Sequence, residues 1–298
     1  MYAPPSAESR ALAAAAGEGR ADEVARLLAD PRANPAVLDN SAIIWAASHG
    51  HPEVVALLLA DPRTGPASRD NEAIRSAATY GRRDVVALLL ADPRSDPAAR
   101  DDEALRNAAC NGHAGVAALL LADPRVDPAA CDDRALRWAA ACGHAEVVAL
   151  LLADPRVDPA AREHTAIRHA ASNGHARVVA LLLADPRTDP AAIDDDALRT
   201  AAANGRTESA ALLLADPRVD PAALFRPGFA AFRARPPVAE ALALRRRWSA
   251  PRAAWVAAAA AAAAALARAD AELADALAGA AALARADAEL ADALAGCC

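Results

Sequence analysis

The chain has 298 residues and a net charge of −7, and 55% of its residues are apolar. The apolar fraction consists largely of 93 alanines, with only 3% aromatic residues, which argues against one large globular core around an enzyme pocket. The negative charge argues against a nucleic-acid-binding surface over the whole chain. The first ten residues lack the pattern of a signal or transit peptide, so we expect an intracellular protein, cytoplasmic with the nucleus as an alternative.

A 31-residue repeat begins at residue 9, after residues 1–8, which we expect to be disordered. The tripeptide Asp-Pro-Arg recurs at this interval from Pro31 to Pro217, and a glycine recurs in phase from Gly19 to Gly205. Self-similarity at a fixed period predicts a repeat architecture. The seven predicted units are 9–39, 40–70, 71–101, 102–132, 133–163, 164–194 and 195–225.

The unit 71–101 shows the predicted helices. An apolar stripe at helical spacing covers residues 73–78, and Gly81 then stands where a helix end favours a left-handed residue. A second, more apolar helix contains the leucine triplet at 88–90 and must end before Pro93. Neither helix is long enough to be stable alone, so neighbouring units must stack and share a core. We therefore predict an all-α solenoid of helix-turn-helix units.

Three features of the unit are shared with a known family. An Ala-Ala pair precedes the break, the break itself is Gly-His in four units, and the leucine triplet closes the second helix. The units thus resemble ankyrin repeats. They differ in opening with Ala-Leu/Ile-Arg instead of Thr-Pro-Leu-His and in a shorter loop between units, so we expect the family's β-hairpin finger to be reduced to a loop. The resemblance covers 9–225 and implies protein binding through a concave face lined by first helices and loops.

Some first-helix positions carry different residues in different units. Stacking does not dictate the residue at these positions, so their variation is informative about binding. We predict that these side chains contact a partner protein, with the aromatic ones as anchors because aromatic residues dominate interface energetics. The alternative is that the tryptophans only fill gaps between units. The predicted contact residues are Trp45, His49, Ser76, Tyr80, Asn107, Asn111, Trp138, His169, Asn173, Thr200 and Asn204.

No catalytic residue, cofactor or metal site is predicted, because the candidate residue types recur with the repeat instead of converging on one place. The histidines after the glycines are expected to form hydrogen bonds within their own units. Cys110 and Cys142 lie near the breaks of adjacent units, but no metal-ligand spacing accompanies them. The five cysteines have no disulfide framework, so reduced thiols are expected. In each loop we expect Asp and Arg to neutralise each other, as Asp92 and Arg94 would.

The remaining chain differs in kind from the array. Residues 226–252 carry seven arginines against one glutamate, and we expect a capping and linker segment, with a basic patch at Arg245, Arg246 and Arg247 as an alternative. Residues 253–298 are an alanine-rich, low-complexity segment that we expect to form a helical tail. Its apolar run is too short and too weakly apolar for a membrane span, but its helices could associate with a second copy.

These patterns predict a non-enzymatic scaffold that binds a partner protein through the concave face of the solenoid. The alternative function is a target-selecting adaptor or effector, in which the basic segment and the tail recruit a second partner or direct localisation. The two functions differ in what the segment 226–298 does, since only an adaptor would lose a recruited partner without it.

Overall fold

The structure, a computed structural model, describes residues 6–225 and 230–247. The chain divides into two compact units, Met1–Arg246 and Arg247–Cys298. The second unit lies outside the described residues except for its first residue, and the predicted helical tail 253–298 falls there. The repeat array belongs to the first unit.

Helices α1 to α14 form seven pairs, each consisting of a first helix and a shorter second helix. The first helices are α1 Ala7–Gly17, α3 Val37–His49, α5 Ser68–Thr79, α7 Ala99–Cys110, α9 Ala130–Cys142, α11 Ala161–Asn173 and α13 Ala192–Ala203. The second helices are α2 Ala21–Leu28, α4 Pro52–Ala60, α6 Arg83–Ala91, α8 Ala114–Leu121, α10 Ala145–Ala153, α12 Ala176–Ala184 and α14 Thr207–Ala215. A 3₁₀ turn at Pro221–Phe225 follows, and then α15 Ala230–Arg233 and α16 Pro236–Arg247.

The helices form two layers. Each first helix packs on the first helices of the neighbouring pairs, and each second helix packs on its neighbouring second helices. The buried alanines of the first helices allow close approach, while Ile74, Leu105 and Leu136 fill the space between the layers. The predicted all-α solenoid of stacked helix pairs is confirmed, and 6–225 and 230–247 contain no strand.

From the second pair onward, the second to fourth residues of each first helix form a left-handed turn. Three consecutive residues have φ between 50° and 61°, although none of them is glycine. A left-handed conformation costs about 1–2 kcal/mol for each residue with a Cβ atom, so surrounding contacts must hold the turn. It stands where the family would have its β-hairpin finger. The left-handed turns are 38–40, 69–71, 100–102, 131–133, 162–164 and 193–195.

Two kinds of side-chain hydrogen bond hold these turns. Arg75 donates from Nε to the carbonyl of Asp70 at 2.8 Å and from Nη2 to the carbonyl of Arg69 at 2.9 Å. The arginine of the Ala-Leu/Ile-Arg motif thus satisfies carbonyls that the left-handed backbone leaves open. The second kind of hydrogen bond involves the last residue of the turn. Asn71 Oδ1 accepts from the backbone N–H of Asp96 in the next loop at 2.8 Å.

The Asp-Pro-Arg loop also joins one pair to the pair before it. Arg94 forms an ion pair with Asp92 at 2.6 Å, which agrees with the expected neutralisation within the loop. The same guanidinium donates to the carbonyls of Thr64 at 3.0 Å and Leu59 at 2.7 Å, both in the preceding pair. The Leu59 carbonyl lies at the end of α4, where it has no partner within the helix. The recurring arginine is therefore a contact between units.

The glycine at the break makes room for a side chain from the next pair. Gly112 has a φ of 75°, and a Cβ atom there would collide with the imidazole of His144. Nε2 of His144 donates to the carbonyl of Cys110 at 2.9 Å. The expectation that such histidines bond within their own units is wrong, because the ring reaches across the glycine to the preceding unit.

Both ends of the array extend beyond the predicted units. Ser6 caps α1, so the expected disorder of residues 1–8 is wrong for 6–8, while residues 1–5 lie outside the described part. At the other end, Phe232 and Val238 are buried in the core. Arg235 Nη1 donates to the carbonyl of Gly205 at 3.1 Å, so the segment between α15 and α16 contacts the last helix pair.

Candidate functional site

The predicted contact residues lie on the outer surface of the first-helix layer. From the second pair onward, they occupy one or both of two positions four residues apart, in the first helix or directly after its end, and these positions share one helix face. All of them are exposed or half-buried, while the alanines beside them are buried. We call this surface the ridge. Its two rows are 45, 76, 107, 138, 169, 200 and 49, 80, 111, 142, 173, 204.

Three aromatic side chains stand out on the ridge. Tyr80 is 58% exposed, Trp45 is 44% exposed and Trp138 is 37% exposed. Trp45 packs its Cβ edge against Gly17 of the preceding pair, and the Arg134 guanidinium lies 5.2 Å from the ring centroid of Trp138. Trp45 thus partly fills a gap between pairs, Trp138 lies beside an arginine of its own helix, and both still present a free surface. Trp45 and Trp138 are three pairs apart, about 30 Å at about 10 Å per helix, so the aromatics do not form one patch.

Three asparagines of the ridge already have partners in the preceding pair. Asn107 Nδ2 donates to Thr79 Oγ1 at 2.9 Å. Asn173 Nδ2 donates to the carbonyl of Ala141 at 2.8 Å. Asn204 Nδ2 donates to Ser172 Oγ, also at 2.8 Å. Their amide N–H groups therefore stabilise the stack.

The other polar ridge residues mostly bond within their own helices. Asn111 Nδ2 donates to the carbonyl of Asn107, Thr200 Oγ1 to that of Asp196, and His49 Nδ1 to that of Trp45. Burial, followed by the charges of Arg168 and Arg137, lowers the pKa of His169, which favours a neutral imidazole near pH 7. Ser76 is half-buried and lines a polar cavity.

This polar cavity, of about 330 Å³, opens beside the ridge between α5 and α7. Arg75 Nη1 forms an ion pair with Glu103 at 2.9 Å, and Arg100 pairs with Asp70 at 3.1 Å across the two turns. Only two of the lining residues, Ser76 and Asn107, belong to the predicted contact set. No sequence pattern singles out the others, although arginine and aspartate recur together at 69–70 and 100–101. The lining residues are Arg69, Asp70, Glu72, Arg75, Ser76, Thr79, Arg100, Glu103 and Asn107.

Three buried carboxyl groups, Asp102, Asp133 and Asp195, stand at the third position of left-handed turns, and the first two have raised pKa values. Asp102 Oδ1 accepts from the N–H of Asp127 at 3.1 Å, and Asp133 Oδ1 accepts from the N–H of Asp158 at 2.9 Å. Burial raises the pKa of both groups to about 6, and the backbone N–H only partly offsets this effect. They occupy the position of Asn71 and support the stack instead of reaching the surface.

The described residues give no support for a metal or membrane site. Within them, no three His, Cys, Asp or Glu side chains are grouped so that they could hold a metal ion. None of their helices has the length and apolar character that crossing a membrane requires. The basic patch is described only in its backbone, which forms the end of α16, and the side chains of Arg245, Arg246 and Arg247 lie outside the described ones.

Comparison with known proteins identifies the origin of the repeats. A family model described as ankyrin repeats (3 copies) matches residues 11–101, 74–162 and 136–223. The matches together run through all seven helix pairs. A search of curated proteins found no match.

Proposed function

This chain belongs to the ankyrin repeat family, and on that premise we propose that it is a non-enzymatic scaffold that binds a partner protein through the ridge. Ankyrin repeats are general protein–protein interaction modules. The ridge lies on the layer of first helices, the layer that the family resemblance implies for binding. No catalytic residue or cofactor enters the proposal.

The exposure of Trp45, Tyr80 and Trp138 carries this proposal. In the described residues, the large apolar side chains that are exposed lie on the ridge, on left-handed turns or at Phe225, and none lies on a second helix. Exposed aromatic side chains cost solvation free energy and supply most of the binding free energy when a partner covers them. The two layers therefore differ in the way expected of a binding face and a structural face.

The cavity adds a second feature to the proposed interface. It places guanidinium and carboxylate groups beside Ser76, which lies four residues before Tyr80 on the same helix face. Arg75 and Glu103 already neutralise each other, so the cavity has no excess of one charge. We infer that the partner presents apolar side chains to the aromatics and hydrogen-bonding groups, not a block of like charges, to the cavity.

Capture from a cell extract, followed by binding measurements with the purified partner, tests the proposal. The full chain is compared with the triple variant Trp45→Ala, Tyr80→Ala, Trp138→Ala. The matched control is Leu38→Ala with Ile193→Ala, which removes exposed apolar side chains from the turns instead of the ridge. Circular dichroism must show that both variants are folded.

We expect the parent and the control variant to capture the same partner and the triple variant to bind it at least tenfold more weakly. Equal affinity of the triple variant would show that the ridge aromatics only fill gaps. A loss confined to the control variant would move the interface to the left-handed turns.

Charge segregation supports the alternative function. Residues 9–225 carry 23 arginines against 31 acidic residues, whereas 226–252 carry seven arginines against one. We propose as the second candidate an adaptor or effector whose basic segment and tail recruit another partner, direct localisation between cytoplasm and nucleus, or join two copies. Because Phe232 and Val238 are buried with the array, the informative truncation ends after Arg247 and not at residue 225.

Truncation and neutralisation separate the parts of this alternative. A chain ending at Arg247 and a full chain with Arg245, Arg246 and Arg247 changed to Ser are compared with the parent. An adaptor keeps its ridge partner in both variants and loses the second partner or its localisation in at least one. Light scattering of the truncated chain tests self-association, since a tail-mediated dimer would become a monomer. Unchanged partners, localisation and mass in both variants would contradict the alternative.

A further inference from the structure

Two cysteines lie at the boundary between neighbouring pairs, Cys142 on the ridge and Cys110 directly before the ridge residue Asn111. Cys110 is the last residue of α7 and Cys142 is the last residue of α9. Burial and the neighbouring Cys142 raise the pKa of the Cys110 thiol. Cys142 is exposed, and Cys110 is half-buried beneath it.

The repeat itself brings these two positions together. The equivalent positions 62 residues later are Ser172 and Asn204, whose side chains are in contact, with Oγ and Nδ2 2.8 Å apart. In the intervening pair, Asn173 reaches the backbone of residue 141 in the same way. The contact between Cys110 and Cys142 is thus a regular contact of the stack, and in this one place both positions carry a thiol.

We propose that Cys110 and Cys142 are a redox-sensitive modification site, at which a small-molecule disulfide such as oxidised glutathione forms a disulfide bond between two neighbouring repeats. The proposal does not depend on the partner protein. It goes beyond the proposed function because it assigns a covalent modification to the face that carries the ridge.

The reaction is a pair of thiol–disulfide exchanges. The Cys142 thiolate attacks one sulfur of oxidised glutathione, forms a mixed disulfide and releases one glutathione thiolate, which takes a proton. The Cys110 thiol then loses its proton, and the resulting thiolate attacks the Cys142 sulfur, forms the protein disulfide and releases the second glutathione thiolate, which takes up a proton. In total, two protein thiols become one disulfide, and one oxidised glutathione becomes two reduced glutathione molecules.

Exposure determines the order of the two steps. Cys142 is open to solvent and meets the reagent first, whereas burial and the neighbouring sulfur raise the pKa of Cys110 and keep it as a thiol. Once the mixed disulfide has formed, Cys110 needs no second diffusing reagent because its target is already in contact. An exposed disulfide of this kind is accessible to reduction, so the modification is reversible.

The disulfide would have a structural and a surface consequence. It would join α7 to α9 and thereby oppose separation of the two pairs, which stabilises the array by restricting the unfolded chain. It would also remove an exposed thiol from the ridge, one turn away from Trp138. Cys131, the third described cysteine, lies apart with its sulfur 2.9 Å from Arg106 Nη1 and serves as an internal control.

Peptide mapping of the full chain tests the proposal, because trypsin cleaves after arginine and places each of these cysteines on a separate peptide. The peptides are 107–125 with Cys110, 126–134 with Cys131 and 138–156 with Cys142. The full chain carrying Cys297→Ser and Cys298→Ser is incubated with oxidised glutathione, free thiols are alkylated, and the digest is analysed by mass spectrometry. Cys110→Ser and Cys142→Ser are introduced separately in the same background.

We expect a cross-linked pair of peptides 107–125 and 138–156 that is two hydrogens lighter than their sum. The melting temperature should rise by about 5 °C, and both changes should disappear on reduction. Cys110→Ser should stop at the glutathione adduct of Cys142. A parent that also stops at this adduct, or that links Cys131 instead, would overturn the proposal.

Discussion

Two rows of carboxyl groups run through the same stack and have opposite properties. The loop row is represented by Asp123, whose side chain is 12% exposed, and the turn row by Asp102, which is 4% exposed. The hydrogen bond to Arg125 lowers the pKa of Asp123, whereas burial raises the pKa of Asp102 to about 6. Two rows of carboxyl groups in one stack thus have pKa shifts of opposite sign.

The partner explains the difference. Asp123 accepts from the guanidinium of Arg125 through both carboxylate oxygens, which favours its charged form. Asp102 accepts one backbone N–H and is repelled by Asp127 and Asp96, while Arg106 compensates only in part. A recurring carboxyl group in a repeat protein thus stabilises or destabilises the stack according to whether a guanidinium offsets the desolvation of its charge.

The loop row should give the largest effect on stability. Arg125→Ala removes the ion pair with Asp123 and the hydrogen bonds to the carbonyls of Ser95 and Leu90. We expect the free energy of unfolding to fall by about 3 kcal/mol, measured by urea denaturation. The control is Arg177→Ala on the exposed surface of α12, which should change it by less than about 0.5 kcal/mol. Equal effects of both variants would show that the loop arginines do not couple the pairs.

The turn row should dominate the pH dependence between pH 7 and pH 5. The pKa values of Asp102 and Asp133 are about 6 in the folded protein, above the value of about 3.9 in an unfolded chain, so the folded state binds more protons in this range. Stability should therefore rise as the pH falls, by about 1 kcal/mol for each group. Below pH 4 stability should fall again, because the carboxylates of the loop row become protonated and lose their ion pairs with arginine. Asp30 belongs to this row, and its pKa is lowered to about 2.

Thermal melts at pH 7 and pH 5 measure this effect. The groups that face the two carboxyls, and that must stay unchanged, are Asp96, Asp127, Asp158, Arg106 and Arg137. The double variant Asp102→Asn, Asp133→Asn keeps them and should lose most of the rise. A rise of the same size in the double variant would assign the pH dependence to other groups, such as the histidines.

A single substitution at neutral pH should give a smaller gain. Asn71 already occupies the equivalent position and accepts the same kind of backbone N–H, so an amide fits there. Asp102→Asn should raise the free energy of unfolding by about 1 kcal/mol at pH 7, and Asn71→Asp should lower it by a similar amount. Urea denaturation measures the free energy of unfolding of both variants. A lower value for Asp102→Asn than for the parent would contradict the view that the buried charge of Asp102 destabilises the fold at pH 7.

Sequence patterns predicted those parts of the fold that depend on local signals. The apolar spacing, the glycine at the break and the proline after the second helix each have a direct local meaning, so the helix pairs follow from them. The left-handed turn was not predictable in this way. Its residues at 100–102 are Arg-Asp-Asp, with no glycine, and Arg106 Nη2 holds the Arg100 carbonyl at 2.9 Å only once the chain has folded.

The candidate site was predictable as a surface but not as a set of contacts. Variation between units identified positions that the stack leaves exposed, including Trp45 and Tyr80. Two kinds of contact depend on where a neighbouring unit lies. They are the hydrogen bond from Asn204 to the preceding pair and the hydrogen bond of His144, whose ring lies over Gly112. A single unit carries no signal for such contacts, because its own sequence does not contain the acceptor.

The ridge should give the smallest effect on stability. Tyr80→Ala removes a side chain that is more than half exposed, so the free energy of unfolding should change by less than about 0.5 kcal/mol. Urea denaturation beside the Arg125→Ala variant measures it. A loss comparable to that of Arg125→Ala would mean that Tyr80 supports the stack and would weaken its assignment to an interface.

Hydrogen exchange of the complex with the captured partner tests the proposed binding face most directly. The two layers provide separate peptides from the same protein, so each layer is the control for the other. Binding through the ridge predicts slower exchange at the exposed ends of α3, α5, α7 and α9, with the second helices unchanged. Slower exchange confined to the second helices or to the Asp-Pro-Arg loops would contradict it.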